Sequence, residues 1–376
     1  MSTTDRPLRE VALAFLRLGT IAFGGPAVHV AMMHDDMVTR RSWVGEEEFV
    51  DALGITAILP GPGSTQLSMY LGRRRAGWRG LVLGGACFIL PAMVLVIVLT
   101  WLYLRYGRTV AGAGLLYGIR PVVIAVLAQA LLPLARTAMR GVLGAVLGVL
   151  AFAGLLAGVD ALALLGGAAV VSMLVRNVPY RTRPGAASAL AAPFLAAAHH
   201  ASRVRLGALF LEFLKLGIVV FGSGYVLLAF LRHDLVHGLG WLGNTRLLDL
   251  VSIGQLTPGP VFTTATAIGY SLDGLAGAAV ATAAIFLPSF LLMALVSPYV
   301  TRVRRSRWLG GALDGVNAAA VGLMAGAGVL LGQAAFVDVL TVVVALAALV
   351  VLVRFRANVA LVVLGGGVVG LVHALA

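Results

Sequence analysis

Long runs of apolar residues alternate with short polar or arginine-containing stretches along most of the chain. As helices, these runs are long enough to cross roughly 30 Å of hydrocarbon. The predicted crossing helices are residues 80–104, 109–135, 141–158, 160–176, 277–300, 308–332, 336–353 and 357–375. This pattern predicts an all-α polytopic membrane protein.

Glycine and proline interrupt the apolar pattern near the start of the chain. Residues 9–23 precede Gly24-Gly25-Pro26, and residues 46–59 precede Pro60-Gly61-Pro62-Gly63. A helix of fifteen residues spans only about 22 Å, which is less than the bilayer core. Each of these segments is therefore predicted to be half of a broken crossing or one arm of a re-entrant hairpin, and the pattern leaves this choice open.

Composition excludes most other classes of protein. Hydrophobic residues make up 60% of the 376 residues, charged residues only 11%, and the mean hydropathy is +1.00. The formal net charge of +13 resides in short arginine clusters between apolar runs, which indicates membrane topology and no nucleic-acid partner. The only cysteine, Cys87, leaves no intramolecular disulfide or paired-thiol metal site, and we expect no metal and no cofactor.

The chain contains an internal repeat. Phe15-Leu16-Arg17-Leu18-Gly19 matches Phe213-Leu214-Lys215-Leu216-Gly217 at an offset of 198 residues, and Pro60-Gly61-Pro62 matches Pro258-Gly259-Pro260 at the same offset. An offset of 197 then pairs Gly72 with Gly269 and extends to Gly118 and Gly315. The repeat predicts two homologous halves, residues 1–183 and 206–376, joined by a linker at 184–205.

The distribution of arginine predicts that the two halves have opposite orientations. The loop at 73–79 carries four arginines, whereas the matching loop around Asp273 has no basic residue. The positive-inside rule then places 73–79, 136–140, 302–307 and 354–356 in the cytoplasm. Opposite orientation needs an odd number of crossings between equivalent points, so the stretch 185–198 is expected to cross the membrane as well.

The interruptions have the chemistry of an anion site. A helix that starts after glycine and proline offers free N–H groups and the positive end of its dipole, and duplication brings several such starts to the pseudo-two-fold axis. The alternative is that these glycines and prolines only kink and pack membrane helices. The candidate substrate-binding residues at the interruptions are Gly24, Gly25, Pro26, His29, Pro60, Gly61, Pro62, Gly63, Ser64, Thr65, Gly222, Ser223, Gly224, Gln255, Pro258, Gly259, Pro260, Thr263 and Thr264.

Ionisable residues within apolar segments are the second indication of a site, because burying a charge in hydrocarbon is costly. Arg17 and Lys215 are matched and are the preferred substrate-attracting charges, although both could also extend to the interface; Arg120 is a third candidate. Asp51 and Asp249 are matched candidates for carrying a proton, or for capping a helix and pairing with an arginine.

These motifs resemble those of the chromate ion transporter family in its long two-domain form. The resemblance rests on Phe23-Gly24-Gly25-Pro26 with His29, on Pro60-Gly61-Pro62-Gly63, and on their echoes at Phe221-Gly222-Ser223-Gly224 and Thr257-Pro258-Gly259-Pro260. It implies a secondary transporter that exports chromate across the bacterial cytoplasmic membrane, driven by the proton motive force. Gly224 stands where the first half has Pro26, so the two halves are expected to differ in role.

Other functions remain as alternatives. Sulfate shares the charge and shape of chromate, so uptake of sulfate or another oxyanion is the nearest alternative, and an anion channel is a further one. An intramembrane enzyme is not expected, because the sequence lacks a metal-spaced histidine pair or a nucleophile with its base. The expected partners are a small oxyanion and the lipid bilayer, and a homodimer is left open.

Overall fold

The computed structural model describes residues 5–23, 25–57, 59–139, 141–177, 206–220, 226–297 and 307–376. Every regular element in these ranges is helical, which confirms the all-α prediction. The predicted linker at 184–205, and with it the expected crossing at 185–198, lies outside the described residues.

The two halves contain matching series of helices. The first half has α1 (Asp5–Ile21), α2 (Pro26–His34), the π-helical segment π1 (Asp35–Arg40), α3 (Glu46–Thr56), α4 (Gly63–Tyr106), α5 (Val110–Ala138), α6 (Gly141–Leu156) and α7 (Ala161–Asn177). The second half has α8 (Leu206–Val219), α9 (Leu227–Leu231), the π-helical segment π2 (Arg232–Gly238), α10 (Asn244–Leu256), a 3₁₀ turn (Val261–Thr263), α11 (Thr264–Val296), α12 (Arg307–Ala335), α13 (Val339–Arg354) and α14 (Val359–Leu375).

Several helices have the length and composition of membrane spans. α4, α5, α11 with its preceding turn, and the 310–335 part of α12 are long and apolar enough to cross a bilayer. Their outward faces carry exposed apolar side chains such as Val94 and Leu291, which suit lipid and not water. The chain is therefore a multi-pass membrane protein.

The long helices α4 and α11 each bend sharply at the same place in the repeat. The backbone leaves helical geometry at Ala76–Gly77 and at Asp273–Gly274, where both glycines have positive φ, 62° and 56°. Glycine adopts this region without steric cost. Each long helix therefore consists of a short arm, 63–76 or 264–273, followed by a long arm that continues to its end.

Each short arm forms a re-entrant hairpin with the helix before it. Tyr70, near the end of the first short arm, donates a 2.9 Å hydrogen bond to Glu48 in the first turn of α3. In the second half, Arg246 in the first turn of α10 donates to the hydroxyl of Ser271 at 3.0 Å, again near the end of the short arm. Because each hairpin starts and ends at the same level, the structure favours the re-entrant alternative over a broken crossing.

The long arms of α4 and α11 run in opposite directions. Arg73, beside the bend of α4, donates to the carbonyl of Ala294 and the hydroxyl of Ser297 at the end of α11. Conversely, Tyr103 at the end of α4 bonds Asp249 of α10, whose first turn lies against the bend of α11. The start of each long arm thus lies at the level where the other ends, so the two long arms are antiparallel.

The remaining helices of each half pack against helices of the other half. α5 packs against α13 and α14 of the second half, and its counterpart α12 packs against α6 and α7 of the first. The contacts are close: a Cβ built on Gly118 would lie 1.9 Å from the carbonyl oxygen of Gly366, and one built on Gly315 would lie 2.2 Å from that of Ala168. Small residues permit this approach of helix backbones.

Candidate functional site

The tip of each re-entrant hairpin is bonded to the end of the first helix of the other half. The amide of Gly61 donates to the carbonyl of Val220 at 2.7 Å, and the amide of Gly259 donates to the carbonyl of Ala22 at 3.1 Å. Both pairs of equivalent residues are separated by 198 positions, so the same contact is made twice. The first Pro-Gly-Pro motif is therefore bonded to the end of α8, and the second to the end of α1.

The middle glycine of each Pro-Gly-Pro motif is required by its backbone and its neighbours. Gly61 has φ 108° and Gly259 has φ 91°. A Cβ on Gly61 would lie 2.1 Å from the Ser289 hydroxyl oxygen, and one on Gly259 would lie 2.9 Å from the Cβ of Ala92. Both positions are strained for any residue with a side chain.

Beside the first tip lies a group of buried polar side chains, His29, Ser64, Thr65 and Gln66, which we call the first-half cradle. The Nε2 of His29 is 3.1 Å from the carbonyl oxygen of Ala22, and its Nδ1 is 3.1 Å from the hydroxyl oxygen of Ser64. A carbonyl only accepts, so Nε2 carries the ring hydrogen and, in the neutral ring, Nδ1 accepts from Ser64. His29 thus ties the start of α2 to the start of α4.

Two atoms of the first-half cradle lack partners. The hydroxyl of Thr65 and Oε1 of Gln66 are buried and form no hydrogen bond with any described residue. The amide nitrogen of Gln66 is satisfied by the carbonyl of Pro60 and the hydroxyl of Ser289. A buried polar group without a partner costs about 1–3 kcal/mol, and these two atoms keep hydrogen-bonding capacity that the described residues do not use.

The start of α4 adds backbone donors to the cradle. Gly63 is the first residue of α4, and the preceding Pro62 makes no side-chain capping bond. The first N–H groups of a helix have no partner within it, and they carry the positive end of the helix dipole. Free N–H groups and a free hydroxyl together form a surface suited to an oxyanion.

The second half does not reproduce this cradle. The hydroxyls of Thr263 and Thr264 donate to the carbonyls of Pro260 and Val261 at 2.8 Å each. The helix there begins with a 3₁₀ turn, and the Thr263 amide also bonds Pro260. Both predicted donors are therefore already used by the local backbone.

The acidic candidates Asp51 and Asp249 lie in different surroundings. Asp249 accepts two hydrogen bonds from the Arg120 guanidinium, at 2.7 and 3.1 Å, and one from Tyr103 at 3.0 Å. This geometry matches the alternative in which Asp249 pairs with an arginine. Asp51 is half-buried on α3.

The matched basic candidates also differ. Lys215 is half-buried, and its Nζ lies 2.6 Å from Glu212 and 2.9 Å from Asp234. Arg17 instead lies exposed on α1. The structure therefore brings neither charge into the first-half cradle, and their predicted role as substrate-attracting charges stays a prediction.

The remaining candidates lie at the ends of short helices or outside the described residues. Gly25, with φ 80°, caps α2, and Pro26 occupies its first turn. Gln255 is half-buried at the end of α10, one residue before Leu256. Gly24, Gly222, Ser223 and Gly224 lie outside the described residues.

Sequence reasoning missed several polar residues that the fold places in or near the centre. Gln66 and Ser289 meet although 223 residues separate them. Asp234 could have been noticed, since it matches Asp36 at the repeat offset, whereas Glu212 matches only Ala14 and carries no repeat signal. Long-range contacts of this kind are not encoded in local spacing.

The cradle is closed in this structure. Thr65 and Gln66 are fully buried, and Ser64 is only 4% exposed. Two surface grooves flank Phe23, but their linings are apolar, with Leu95 common to both. These grooves suit acyl chains, so an anion needs a rearrangement to reach the cradle.

Both halves of the chain match a known protein family. The profile described as chromate transporter matches residues 9–173 and again residues 207–371. The chain is 33% identical to the chromate transport protein of Cupriavidus metallidurans over 372 residues, which is 97% of this chain and 93% of the relative. It is 34% identical to the probable chromate transport protein of Synechococcus elongatus over 350 residues, 91% of this chain and 89% of the relative.

A third relative matches a smaller share of the chain. The chromate transport protein of Pseudomonas aeruginosa is 31% identical over 329 residues, 82% of this chain and 77% of the relative. No solved structure matches the chain.

Proposed function

This chain belongs to the chromate transporter family, and on that premise we propose that it is a secondary transporter that exports chromate across the bacterial cytoplasmic membrane in exchange for protons. The proteins of C. metallidurans and P. aeruginosa are named as chromate transport proteins. Members of this family are transporters and not enzymes.

The observation that carries the proposal is the unpaired Thr65 hydroxyl at the start of α4. Chromate is a tetrahedral dianion whose oxygens only accept hydrogen bonds. The Thr65 hydroxyl and the first N–H groups of α4 are donors without a stable partner, and the helix dipole favours negative charge there. Among the described residues of the second half, the hydroxyls of Thr263 and Thr264 are already bonded, so we place the substrate on the first-half cradle.

The closed arrangement supports a carrier. Ser64, Thr65 and Gln66 are buried beside the first hairpin tip, and the amides of Gly61 and Gly259 bond each tip to the end of the first helix of the other half. A channel needs a continuous path to both sides, whereas a carrier needs a site that opens to one side at a time. Rocking of one half against the other, with the tips as pivot, would open the cradle alternately.

Two alternatives remain within the same fold. A sulfate carrier would use the same donors, because sulfate has the charge and shape of chromate. An anion channel would need both hairpin tips to separate from the ends of α1 and α8, so that a continuous path forms. The inverted topology and a homodimer also stay proposals, and neither changes the chemistry of the cradle.

Everted membrane vesicles test this proposal. Export becomes uptake in such vesicles, so labelled chromate should accumulate when a proton gradient is imposed and should stop accumulating when an ionophore collapses it. Excess unlabelled sulfate measures the discrimination between the two anions. Vesicles that equilibrate chromate without accumulating it would support a channel, and sulfate outcompeting chromate would support the sulfate carrier.

A matched pair of variants tests the site. Thr65→Val removes the unpaired hydroxyl. Thr263→Val removes the hydroxyl at the same distance from the second Pro-Gly-Pro motif, which is bonded to the Pro260 carbonyl. Chromate uptake should fall in Thr65→Val far more than in Thr263→Val. Equal uptake by both variants and the wild type would remove Thr65 from the substrate site.

A further inference from the structure

Four charged or titratable side chains of the second half form a compact group, which we call the Lys215 cluster: Glu212, Lys215, His233 and Asp234. Lys215 Nζ lies 2.6 Å from Glu212 Oε1 and 2.9 Å from Asp234 Oδ2. His233 Nδ1 lies 2.9 Å from the other oxygen of Asp234. The Lys215 ammonium thus forms ion pairs with two carboxylates.

The cluster carries more negative than positive charge whenever His233 is neutral. With His233 neutral, two carboxylates face one ammonium, and one negative charge remains uncompensated. Glu212 Oε1 and Asp234 Oδ2 have almost no solvent contact, and the side chains are only 14% and 10% exposed. An uncompensated charge in such surroundings is costly, and a single added proton removes it.

The described side chains of neighbouring elements do not neutralise this excess. Asp160, at the start of α7, lies 3.8 Å from His233 and adds a further carboxylate. α8 packs against α11, in which Asp273 is the one charged residue, while π2 packs against α10 and α9 against α12. On π2 itself, the buried Arg232 donates to Asn244. On α10, Arg246 bonds Ser271 and Asp249 pairs with Arg120, while the described side chains of α12 include one charged residue, the half-buried Asp314.

The equivalent positions of the first half are balanced. Asp36 pairs with Arg41 at 3.2 Å, and Asp35, which stands where the second half has His233, pairs with Arg40 at 2.9 Å. Glu212 is replaced there by Ala14. The surplus charge is therefore a property of the second half, and the repeat architecture does not require it.

α8 connects the cluster to the first hairpin tip. Lys215 lies five residues before Val220, or about 7.5 Å along the helix axis. The carbonyl of Val220 accepts the hydrogen bond from Gly61 at the first hairpin tip. A proton that binds more tightly in one arrangement of α8 than in another shifts the balance between those arrangements.

We infer that the Lys215 cluster is the proton-binding site of the transport cycle, with Glu212 as the group that accepts the proton. Among the described residues, Asp234 has two basic partners, Lys215 and His233, whereas Glu212 has one, Lys215. Glu212 takes a proton from water on one side of the membrane and returns it to water on the other; no other bond forms or breaks. This inference rests on the proposed function and replaces Asp249, which is held by Arg120, as the coupling residue.

Two assays on proteoliposomes separate coupling from transport. The first measures chromate accumulation driven by an imposed pH gradient in sodium-free buffer, and the second measures exchange of labelled for unlabelled chromate at equal pH on both sides. Glu212→Gln should keep exchange within about twofold of the wild type and lose the accumulation that a tenfold proton gradient drives. The matched control Asp36→Asn, in the balanced first half, should keep both.

Each outcome decides between the proposals. Accumulation by Glu212→Gln equal to that of the wild type would overturn the inference, while a wild-type protein that neither exchanges nor accumulates chromate would overturn the proposed function instead. If Glu212→Gln fails to fold, Glu212→Asp carries the test, because it keeps a carboxylate and alters its contact with Lys215. Its exchange rate should depend on pH differently from the wild type, and an identical pH profile would contradict a role for Glu212.

Discussion

The amide of Gly61 in the first half donates a hydrogen bond to the carbonyl of Val220 in the second half. The reciprocal bond runs from the amide of Gly259 to the carbonyl of Ala22, so each half supplies the acceptor for the hairpin tip of the other. These backbone bonds satisfy groups that have no partner in lipid, and they tie each Pro-Gly-Pro motif to the other half. A rearrangement that opens the cradle must therefore act on both halves together.

Gly61→Ala should lower both stability and transport. The left-handed backbone at Gly61 costs about 1–2 kcal/mol for a residue with a side chain, and the new methyl group would collide with the Ser289 hydroxyl. The measurement is thermal unfolding of the purified protein in detergent, with chromate uptake beside it. Gly45→Ala is the control, because its φ is −79° and its Cβ would enter open space; equal melting temperatures for the two variants would contradict the assignment.

Thr65→Val and Thr263→Val should change stability in opposite directions. Thr65→Val removes a buried hydroxyl without a partner and should raise the free energy of unfolding by about 1–3 kcal/mol while transport falls. Thr263→Val removes a bonded hydroxyl and should lower it by about 1 kcal/mol. The check is chemical or thermal unfolding of both variants without substrate. A destabilised Thr65→Val would mean that the hydroxyl has a partner in the resting protein.

Breaking the Arg120–Asp249 pair should destabilise the fold, and removing both charges should restore part of the loss. The Asp249 side chain is only 3% exposed, so Arg120→Gln leaves a buried carboxylate at a cost of about 3–5 kcal/mol. The double variant Arg120→Gln with Asp249→Asn removes the unpaired charge. Melting temperatures of the two single variants and the double variant test this coupling. A stable Asp249→Asn that loses only proton-driven accumulation would instead return Asp249 to the coupling role.

Residues Arg74 and Asp273 should label from opposite sides of the membrane. Both lie beside the bends of their long helices, and the contacts of Arg73 with Ser297 and of Tyr103 with Asp249 place those bends at opposite ends of the bundle. Single cysteines at the two positions, in a Cys87→Ala background, can be treated with a membrane-impermeant maleimide on intact cells and on everted vesicles. Labelling of both from one side would contradict the inverted arrangement.

The sequence by itself determined the fold class, the duplication and the places where helices break. These properties follow from local chemistry: the length of apolar runs, the backbone freedom of Gly61 and Gly259, and the recurrence of motifs at a constant offset. The family resemblance rests on the same residues, and the comparison with known proteins confirmed it.

Only the tertiary structure decided which of the duplicated residues differ in role. Thr65 and Thr263 each lie three residues after the last proline of their Pro-Gly-Pro motif, yet one hydroxyl has no partner among the described residues and the other bonds the Pro260 carbonyl. Arg17 and Lys215 are matched, yet one is exposed and the other holds two carboxylates. The partners of a side chain depend on where distant segments pack, and a repeat preserves the backbone path more strictly than it preserves those neighbours.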